Sequence, residues 1–574
     1  MSVERARDAI KSGDLLGAYD LARAALADGQ QDAGLRFIEV LALARMGETE
    51  RAFALFQLYD LAAAADEDVL ALGARLLKDR AVAATGPLRA GMFREASEAY
   101  HAAHARFGGY FSLINAASLA QLAGDQRMAQ QLARHVLAMP DVAAAASYFA
   151  AVTAAEAWLL LNDRPMALAA TATALLQPDA NLGARASTVR QLVLLRAHGG
   201  VSQSLAEDLC AQLRPPPVLF YAGHMFANDP AAEAGLAARI EAVLDATGAK
   251  IAYGALACGA DILCAEALLR RGAELHVVLP FPAADFMTRS VLPGGSDWAP
   301  RFDAALGAAR TVTFASEAAD VGDPEQINYG NSLAMGMTLL RSAHLHTSAQ
   351  MLAVWDGTPS RGIGGTGDEV QRWQKMGHAA QVIAPGAITR PALGPAGQPG
   401  IAQGATRCQR AILFTDYAGF SKLGEPELPG FWADVMGRVA AALAAVENAI
   451  DFRNSWGDAV FAVLSDVEIA ARVALDIVSK PVGDASEGGM RVGLHFGPVY
   501  RMVDPITGQT GFIGTEVTRA ARIEPVTPVG QVYVTQPFAA MLALANTSPF
   551  KLEYAGQVNL AKRYGTMALY RLSL

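Results

Sequence analysis

At 574 residues the chain is too long for one hydrophobic core, so about three or four domains are expected. With 52% hydrophobic and 18% charged residues it is neither disordered nor collagen-like. A net charge of −9 offers no general attraction to nucleic acid or to an anionic membrane surface, although a local basic site for a triphosphate remains allowed. The four cysteines, Cys210, Cys258, Cys264 and Cys408, form no CxxC pair and no zinc spacing, which points to reduced thiols. The opening "MSVERARDAIKSGD" lacks an apolar signal core, and the apolar stretch "AAAASYFAAVTAAEAWLLL" is mostly alanine and carries Glu156. That composition suits a packed helix better than a membrane span, so a cytoplasmic protein is expected.

Residues 1–205 read as entirely helical, rich in Ala and Leu at helical spacing. Gly13-Asp14 followed by Ala18-Tyr19 recurs as Gly47-Glu48 followed by Ala52-Phe53, an offset of 34 residues. Looser echoes begin at Gly91, Gly124 and Asn162, each with an alanine five residues on. A turn residue followed by a small residue facing the next helix is what stacked helix pairs need. The pattern resembles tetratricopeptide repeats, a helical solenoid of the same period. Such a solenoid implies either a surface for a protein partner or a packing scaffold.

"RPPPVLF" then ends the helical texture, because consecutive prolines cannot continue a helix. Over residues 214–385, short apolar runs such as "VLFYAGH", "ELHVVLPF" and "MLAVWDG" alternate with helical patterns, which predicts a parallel sheet built from βαβ units. Two loops stand out. One passes Gly254 and Gly259 and enters a helix near Asp261; the other, "VWDGTPSRGIGGTGDEV", carries Gly364, Gly365, Thr366 and Glu369. Glycines at the carboxyl end of a parallel strand let backbone approach a ligand, and the following helix N-terminus favours anions. The same glycines also suit plain turns. At these residues the region resembles the SLOG superfamily, Rossmann-related domains that bind nucleotides or nucleoside-derived ligands. "GGTGDE" is similar to the glycine-threonine loop of its phosphoribohydrolases, with Thr366 and Glu369 in matching places. The resemblance implies a Rossmann-like fold and a nucleotide-derived ligand; the catalytic arginine of those enzymes has no clear counterpart here, which favours a sensor over a hydrolase. Residues 386–407, rich in Pro, Gly and Ala, read as a flexible linker.

In residues 408–574 the run "RAILFTDYAGFSKL" is a strand ending at Asp416, and "DFRNSWGDAVFAVL" is two strands joined by a turn with Gly457 and Asp458. If these segments pair, the two aspartates fall side by side, a placement that suits two Mg²⁺ or Mn²⁺ ions completed by substrate phosphates. "FTDYAGFSKL", "WGDAVFAV", "RVGLHFGPV" and "GTEVTRAARIEPVTPVGQVYVT" together resemble the class III adenylate/guanylate cyclases. The resemblance implies a ferredoxin-like α+β catalytic domain that turns a nucleoside triphosphate into a 3′,5′-cyclic nucleotide and pyrophosphate. By the same resemblance Asp416 and Asp458 hold both metals, and Ala418, Gly419 and Phe420, with Gly457, cradle the phosphates. Arg522 stabilises charge on the α-phosphate. Thr518 stands where the family has a ribose-orienting asparagine, and Lys562, beside Arg563, stands near its second cation. Asn454 occupies the first base-reading position and Thr510, or Gly511, the second, which leaves ATP, GTP, UTP and CTP open. His495 lies in a strand that the family uses structurally. Because the family builds each site from two protomers, a head-to-tail homodimer is implied.

Two other readings stay open. The cyclase fold could serve only as a dimerising nucleotide sensor, or the middle domain could be the enzyme, acting on an N-glycosidic bond.

Overall fold

The computed structural model describes residues 2–359, 364–394, 406–479, 489–545, 549–561 and 565–574. The chain divides into two units, Met1–Pro215 with His344–Thr347, and Pro216–Ala343 with Ser348–Leu574. Among the described residues no helix is long and apolar enough to cross a membrane.

The first unit is helical from Ser2 to Leu213. Its helices begin where the sequence supplies side-chain acceptors: Asp14, Asp32, Asp66, Asp125 and Asp163 each take a backbone N–H at an N-cap. The repeat is visible in the turns. Gly13, Gly47, Gly124 and Asn162 all adopt positive φ between helices. Gly91 does not mark a turn, since it lies inside the Gly86–Phe107 helix. The alanine five residues on is fully buried in every echo, at Ala18, Ala52, Ala96, Ala129 and Ala167. A larger side chain there would hold the stacked helices apart.

The second unit contains two sheets. The first is parallel throughout, with strands β1 (Val218–Gly223), β2 (Ile251–Gly254), β3 (Glu274–Leu279), β4 (Thr311–Phe314), β5 (Ala349–Val354) and β6 (Ala379–Ile383). Their order is β4-β3-β2-β1-β5-β6. The direction of winding reverses between β1 and β5, and in such a sheet the reversal opens a crevice beyond the strand ends. Residues 386–394, expected to be a flexible linker, are held against this domain. Ala227 N donates to Thr389 O at 2.8 Å, and Gly394 N donates to Arg289 O at 2.9 Å. Composition alone cannot report such long-range backbone bonds.

The second sheet comprises β7 (Thr406–Ala418), β8 (Ile450–Trp456), β9 (Ala459–Leu464), β10 (Gly489–Val503), β11 (Thr510–Ile513), β12 (Val532–Thr535), β13 (Lys551–Asn559) and β14 (Thr566–Ser573). The order is β13-β14-β12-β10-β7-β9-β8, with β11 folded back on β10. Only the β10–β12 pairing is parallel among the pairs of this sheet that join described strands. The Pro324–His344 helix joins the two sheet domains. Tyr329 bonds to the Phe496 carbonyl on β10, and Gly336 packs so closely that an added Cβ would lie 2.3 Å from Ala540 O.

Candidate active site

The register of the second sheet brings the two sequence-predicted aspartates together. β7 pairs with β9 so that Thr415 faces Val460, which leaves Asp416 level with the β8–β9 turn that carries Asp458. The carboxyls lie within hydrogen-bonding reach of each other. Burial, then Asp416, pushes Asp458 up to about 6, while the Tyr417 backbone N–H pulls the other way. Two such neighbouring oxygen donors suit a divalent cation, whose charge relieves the repulsion between them. Among the described residues no cluster of three or more His, Cys, Asp or Glu side chains makes a metal cage. Asp416 and Asp458 would therefore need oxygen atoms of the substrate or of water to complete a shell.

Two further side chains belong to this site, and sequence reasoning missed both. Arg491 faces Asp416 across the β7–β10 pair and donates to its Oδ2 at 2.8 Å. Its Nε also pairs with Glu524. Burial, with repulsion from Asp416 and Asp458, lifts the Glu524 carboxyl to about 7 against the pull of Arg491. Arginine in "GMRVGLHF" sits in an apolar strand at an alternating position, and only the pairing of β10 with β7 discloses its partner.

Gly419 takes a φ of +105° just after β7, a conformation open to glycine, and turns the chain into the short Phe420–Lys422 helix. The Phe420 ring packs 5.1 Å from Phe431 and lies beside Gly457, where an added Cβ would sit 3.8 Å away. Ala418, Gly419, Phe420, Gly457 and the aspartates thus share one end of the sheet. Asn454 is exposed on β8, where its Oδ1 accepts from Ser455 N at 2.9 Å. Thr510 opens β11 opposite Val503. The Phe452 and Phe512 rings, 6.2 Å apart, bring β8 and β11 together, and Asn454 and Thr510 each lie two residues from one of them on the same strand face.

Thr518 and Arg522 lie on the Thr515–Ala520 helix and in the turn that follows it. Thr518 is exposed on the Thr515–Ala520 helix, its hydroxyl 3.4 Å from Gly514 O. Among the described residues Arg522 forms no ion pair with Asp416 or Asp458. Its Nε is buried without a hydrogen-bond partner, and its carbonyl accepts from Ala561 N at 3.4 Å. Lys562 and Arg563 lie outside the described residues. His495 is completely buried between Thr535 and Glu516, at 2.8 and 2.7 Å, and faces no cleft.

The parallel-sheet domain holds its own cleft of about 720 Å³ at the β1–β5 reversal. Asp261, Gly364, Gly365, Thr366 and Glu369 line it, whereas Gly254 and Gly259 do not. Those two glycines serve packing: an added Cβ would meet the Tyr221 ring at 2.5 Å from Gly254, and the Phe226 ring at 2.5 Å from Gly259. Burial pushes Asp261 up to about 7. Burial, and then the nearby Asp261 charge, pushes Glu369 up to about 8, although Asn331 Nδ2 donates to it. At the mouth His224 meets Asp356 at 3.2 Å, and Arg390 pairs with the same carboxylate. The cleft therefore offers acidic hydrogen-bonding groups inside and the Arg390–Asp356 ion pair nearer solvent.

Residues 14–120 match the Tetratricopeptide Repeats-Sensor family, and residues 458–573 match the Adenylate and Guanylate cyclase catalytic domain. The second match takes in Asp458, Thr510, Thr518 and Arg522, and it begins after Asp416. Uncharacterised proteins of Mycobacterium tuberculosis and Mycobacterium bovis are each 30% identical over 133 residues, 23% of this chain. That stretch is 34% of each of them, so the chain spans about a third of the length of the curated relatives it matches. Among solved structures, the guanylate cyclase domain of RhGC from Catenaria anguillulae in complex with GTP is 18% identical, with a TM-score of 0.25, covering 29% of this chain and 96% of that one. The adenylyl cyclase CyaB from P. aeruginosa is 13% identical, with a TM-score of 0.25, covering 30% and 96%.

Proposed function

We propose that the chain is a nucleotidyl cyclase that converts a nucleoside triphosphate to a 3′,5′-cyclic nucleotide and pyrophosphate. The observation that carries this reading is the meeting of Asp416 and Asp458 at one sheet end, in a domain whose residues 458–573 match the cyclase catalytic domain. Asp416 and Asp458 are the residues to hold Mg²⁺ or Mn²⁺, which when bound supply positive charge against the triphosphate and favour ionisation of the ribose 3′-hydroxyl. The Gly419 turn and its neighbours Ala418 and Phe420 offer backbone N–H groups to the phosphates. Arg491 already spans two carboxylates and is placed to exchange one of them for a phosphate oxygen. Asn454 and Thr510 hydrogen-bond the base edge, and an asparagine amide can pair with more than one base.

Among the described residues Thr518 and Arg522 make no hydrogen bond or ion pair with the aspartates, which favours a head-to-tail homodimer in which Arg522 of one protomer serves the aspartates of the other. Lys562 is the second cation in this reading. Arg522, whose buried Nε has no hydrogen-bond partner among the described residues, can donate to an α-phosphate oxygen, where charge grows during in-line attack. The cleft at the β1–β5 reversal is proposed to bind a nucleotide-derived ligand in the manner of SLOG-like domains. The Pro324–His344 helix gives that cleft a path to the cyclase domain, since Asn331 touches Glu369 and Tyr329 touches β10. The helical repeats supply a surface for a protein partner.

The test is a cyclase assay of the full chain with ATP, GTP, UTP and CTP offered separately, with Mg²⁺ or Mn²⁺. A cyclic product that disappears in both Asp416→Ala and Arg522→Ala supports the mechanism, and mixing those two variants should restore part of the activity if sites form across the dimer. A product that survives Asp416→Ala would overturn it.

A further inference from the structure

A cavity of about 320 Å³ lies inside the helical unit, remote in sequence from the cyclase domain and from the cleft residues. The helices Glu67–Ala83, Gly86–Phe107, Tyr110–Leu122, Tyr148–Leu160 and Leu182–His198 enclose it. Its lining divides by chemistry. Tyr100, Phe111 and Phe149 make an aromatic wall, and Arg75, Lys78 and Arg190 bring cations to the same space.

The charges there do not balance. The lining carboxyls are Asp79, which meets Arg75 at 3.4 Å, and Glu156. Glu156 is only 8% exposed and accepts from Ser118 and, at 2.9 Å, from Gln191, yet burial drives its carboxyl up towards the neutral form. Lys78 donates to neutral Gln191 at 3.2 Å, and burial draws its ammonium down to about 8 against the pull of the nearby Asp79 charge. Arg45, beside these residues, is drawn down to about 9 by burial and by the charges of Arg75 and Arg190, and its Nε has no hydrogen-bond partner among the described residues. Arg190 donates to Arg45 O at 2.6 Å and Arg75 to Ala44 O at 3.4 Å, at the end of the Ala33–Met46 helix. A helix end carries roughly half a negative charge, too little for the cations gathered around it. Cations withdrawn from water without matching anions are costly, and a bound anion removes that cost.

We propose that this cavity is a binding site for a small aromatic phosphate of nucleoside monophosphate size, its phosphate held by Arg75, Lys78 and Arg190 and its ring set against Tyr100, Phe111 and Phe149. The volume lies near the lower end of ligand pockets, roughly 300–1,000 Å³, which suits one nucleoside unit and excludes a dinucleotide. Asn115 and Thr153 offer donors and acceptors to the edge of a heterocycle. The site is separate from the proposed cyclase centre and would exist whether or not that centre is active.

The experiment is isothermal titration of the full chain, in EDTA, with AMP, GMP, CMP and UMP in turn, and with inorganic phosphate and the corresponding nucleosides. At least one nucleotide should bind once per chain. Lys78→Gln and Arg190→Gln should each weaken that binding about tenfold or more, and Phe149→Leu by several-fold. Circular dichroism melts establish that each variant is folded, and Arg190→Lys, which keeps the charge, should recover part of the affinity. Asp416→Ala and Glu369→Gln should leave the binding unchanged. Failure of all four nucleotides to bind would overturn the proposal. So would binding that survives both cation variants, binding lost in Asp416→Ala or Glu369→Gln, or phosphate alone binding as tightly as the nucleotide.

Discussion

The Tyr329 hydroxyl donates to the backbone carbonyl of Phe496 at 2.9 Å, with both groups buried, and so ties a helix of the parallel-sheet domain to the central strand β10 of the second sheet. Two residues along the same helix, Asn331 bonds to Glu369 in the cleft. Tyr329→Phe keeps the ring and removes the donor, so the cost is that of one buried hydrogen bond, about 1–3 kcal/mol. Urea denaturation of the full chain should register it as an earlier midpoint for the second unit. An unchanged midpoint would mean that the interdomain contact is held by ring packing alone.

Arg491 bridges Asp416 and Glu524, three ionisable groups drawn from β10, β7 and the segment after Arg522. Its removal leaves carboxyls facing one another and takes away a cation from the place where the triphosphate is proposed to sit. Arg491→Ala should lower kcat/KM by about 10²–10³-fold, in line with the loss of one oriented cationic donor. Arg491→Lys should recover little, because an ammonium cannot span two oxygen partners as a guanidinium does. Steady-state kinetics with the preferred triphosphate provide the check, and near-normal turnover in Arg491→Ala would remove this residue from the site.

Asp416 and Asp458 can be read from sequence because each follows an apolar strand run and precedes or occupies a turn, which is local information. Arg491 and Glu524 cannot, since their meeting depends on strand pairings between residues as far apart as 75 positions. Gly254 and Gly259 mislead for the same reason. A glycine after a strand looks like a ligand loop, but here the Tyr221 and Phe226 rings demand the missing side chains. The buried alanines of the helical repeat are legible because their period is intrinsic to the sequence. The cavity among those helices is not, because Arg75 and Lys78 share one helix while Glu156 and Arg190 come from two others far along the chain, and no spacing rule unites them.

Glu369 and Asp261 make a pH prediction whose sign follows from burial. Their folded-state carboxyls are raised to about 8 and about 7, above the unfolded values near 4. The folded protein therefore binds more protons than the unfolded chain across that interval. Their contribution to stability is fully present below pH 4 and is lost as pH rises through 7 and 8. Thermal melts at pH 5, 6, 7 and 8 should show the difference between wild type and Glu369→Gln shrink and then reverse in favour of the variant. Parallel curves would mean that Glu369 ionises as freely in the folded protein as in the unfolded chain.

Glu516 is fully buried and accepts from His495 Nε2 at 2.7 Å and from Arg519 Nη1 at 2.9 Å. Despite burial, these partners hold its carboxyl below the usual range, so Glu516 is the anion of the group. His495, lowered by burial, is then neutral, with Nε2–H on Glu516 and Nδ1 accepting from the Thr535 hydroxyl at 2.8 Å. The network anchors the Thr515–Ala520 helix, which carries Thr518 and leads into Arg522. Glu516→Gln keeps the shape and leaves Arg519 with only the exposed Glu317, at 3.4 Å, as counter-charge among the described residues, which should cost about 1–3 kcal/mol. If the network positions Arg522 and takes no proton in the reaction, kcat should fall while the pH profile of kcat keeps its midpoint. A displaced midpoint in Glu516→Gln, measured at a temperature where the variant is folded, would instead make His495 part of the proton chemistry.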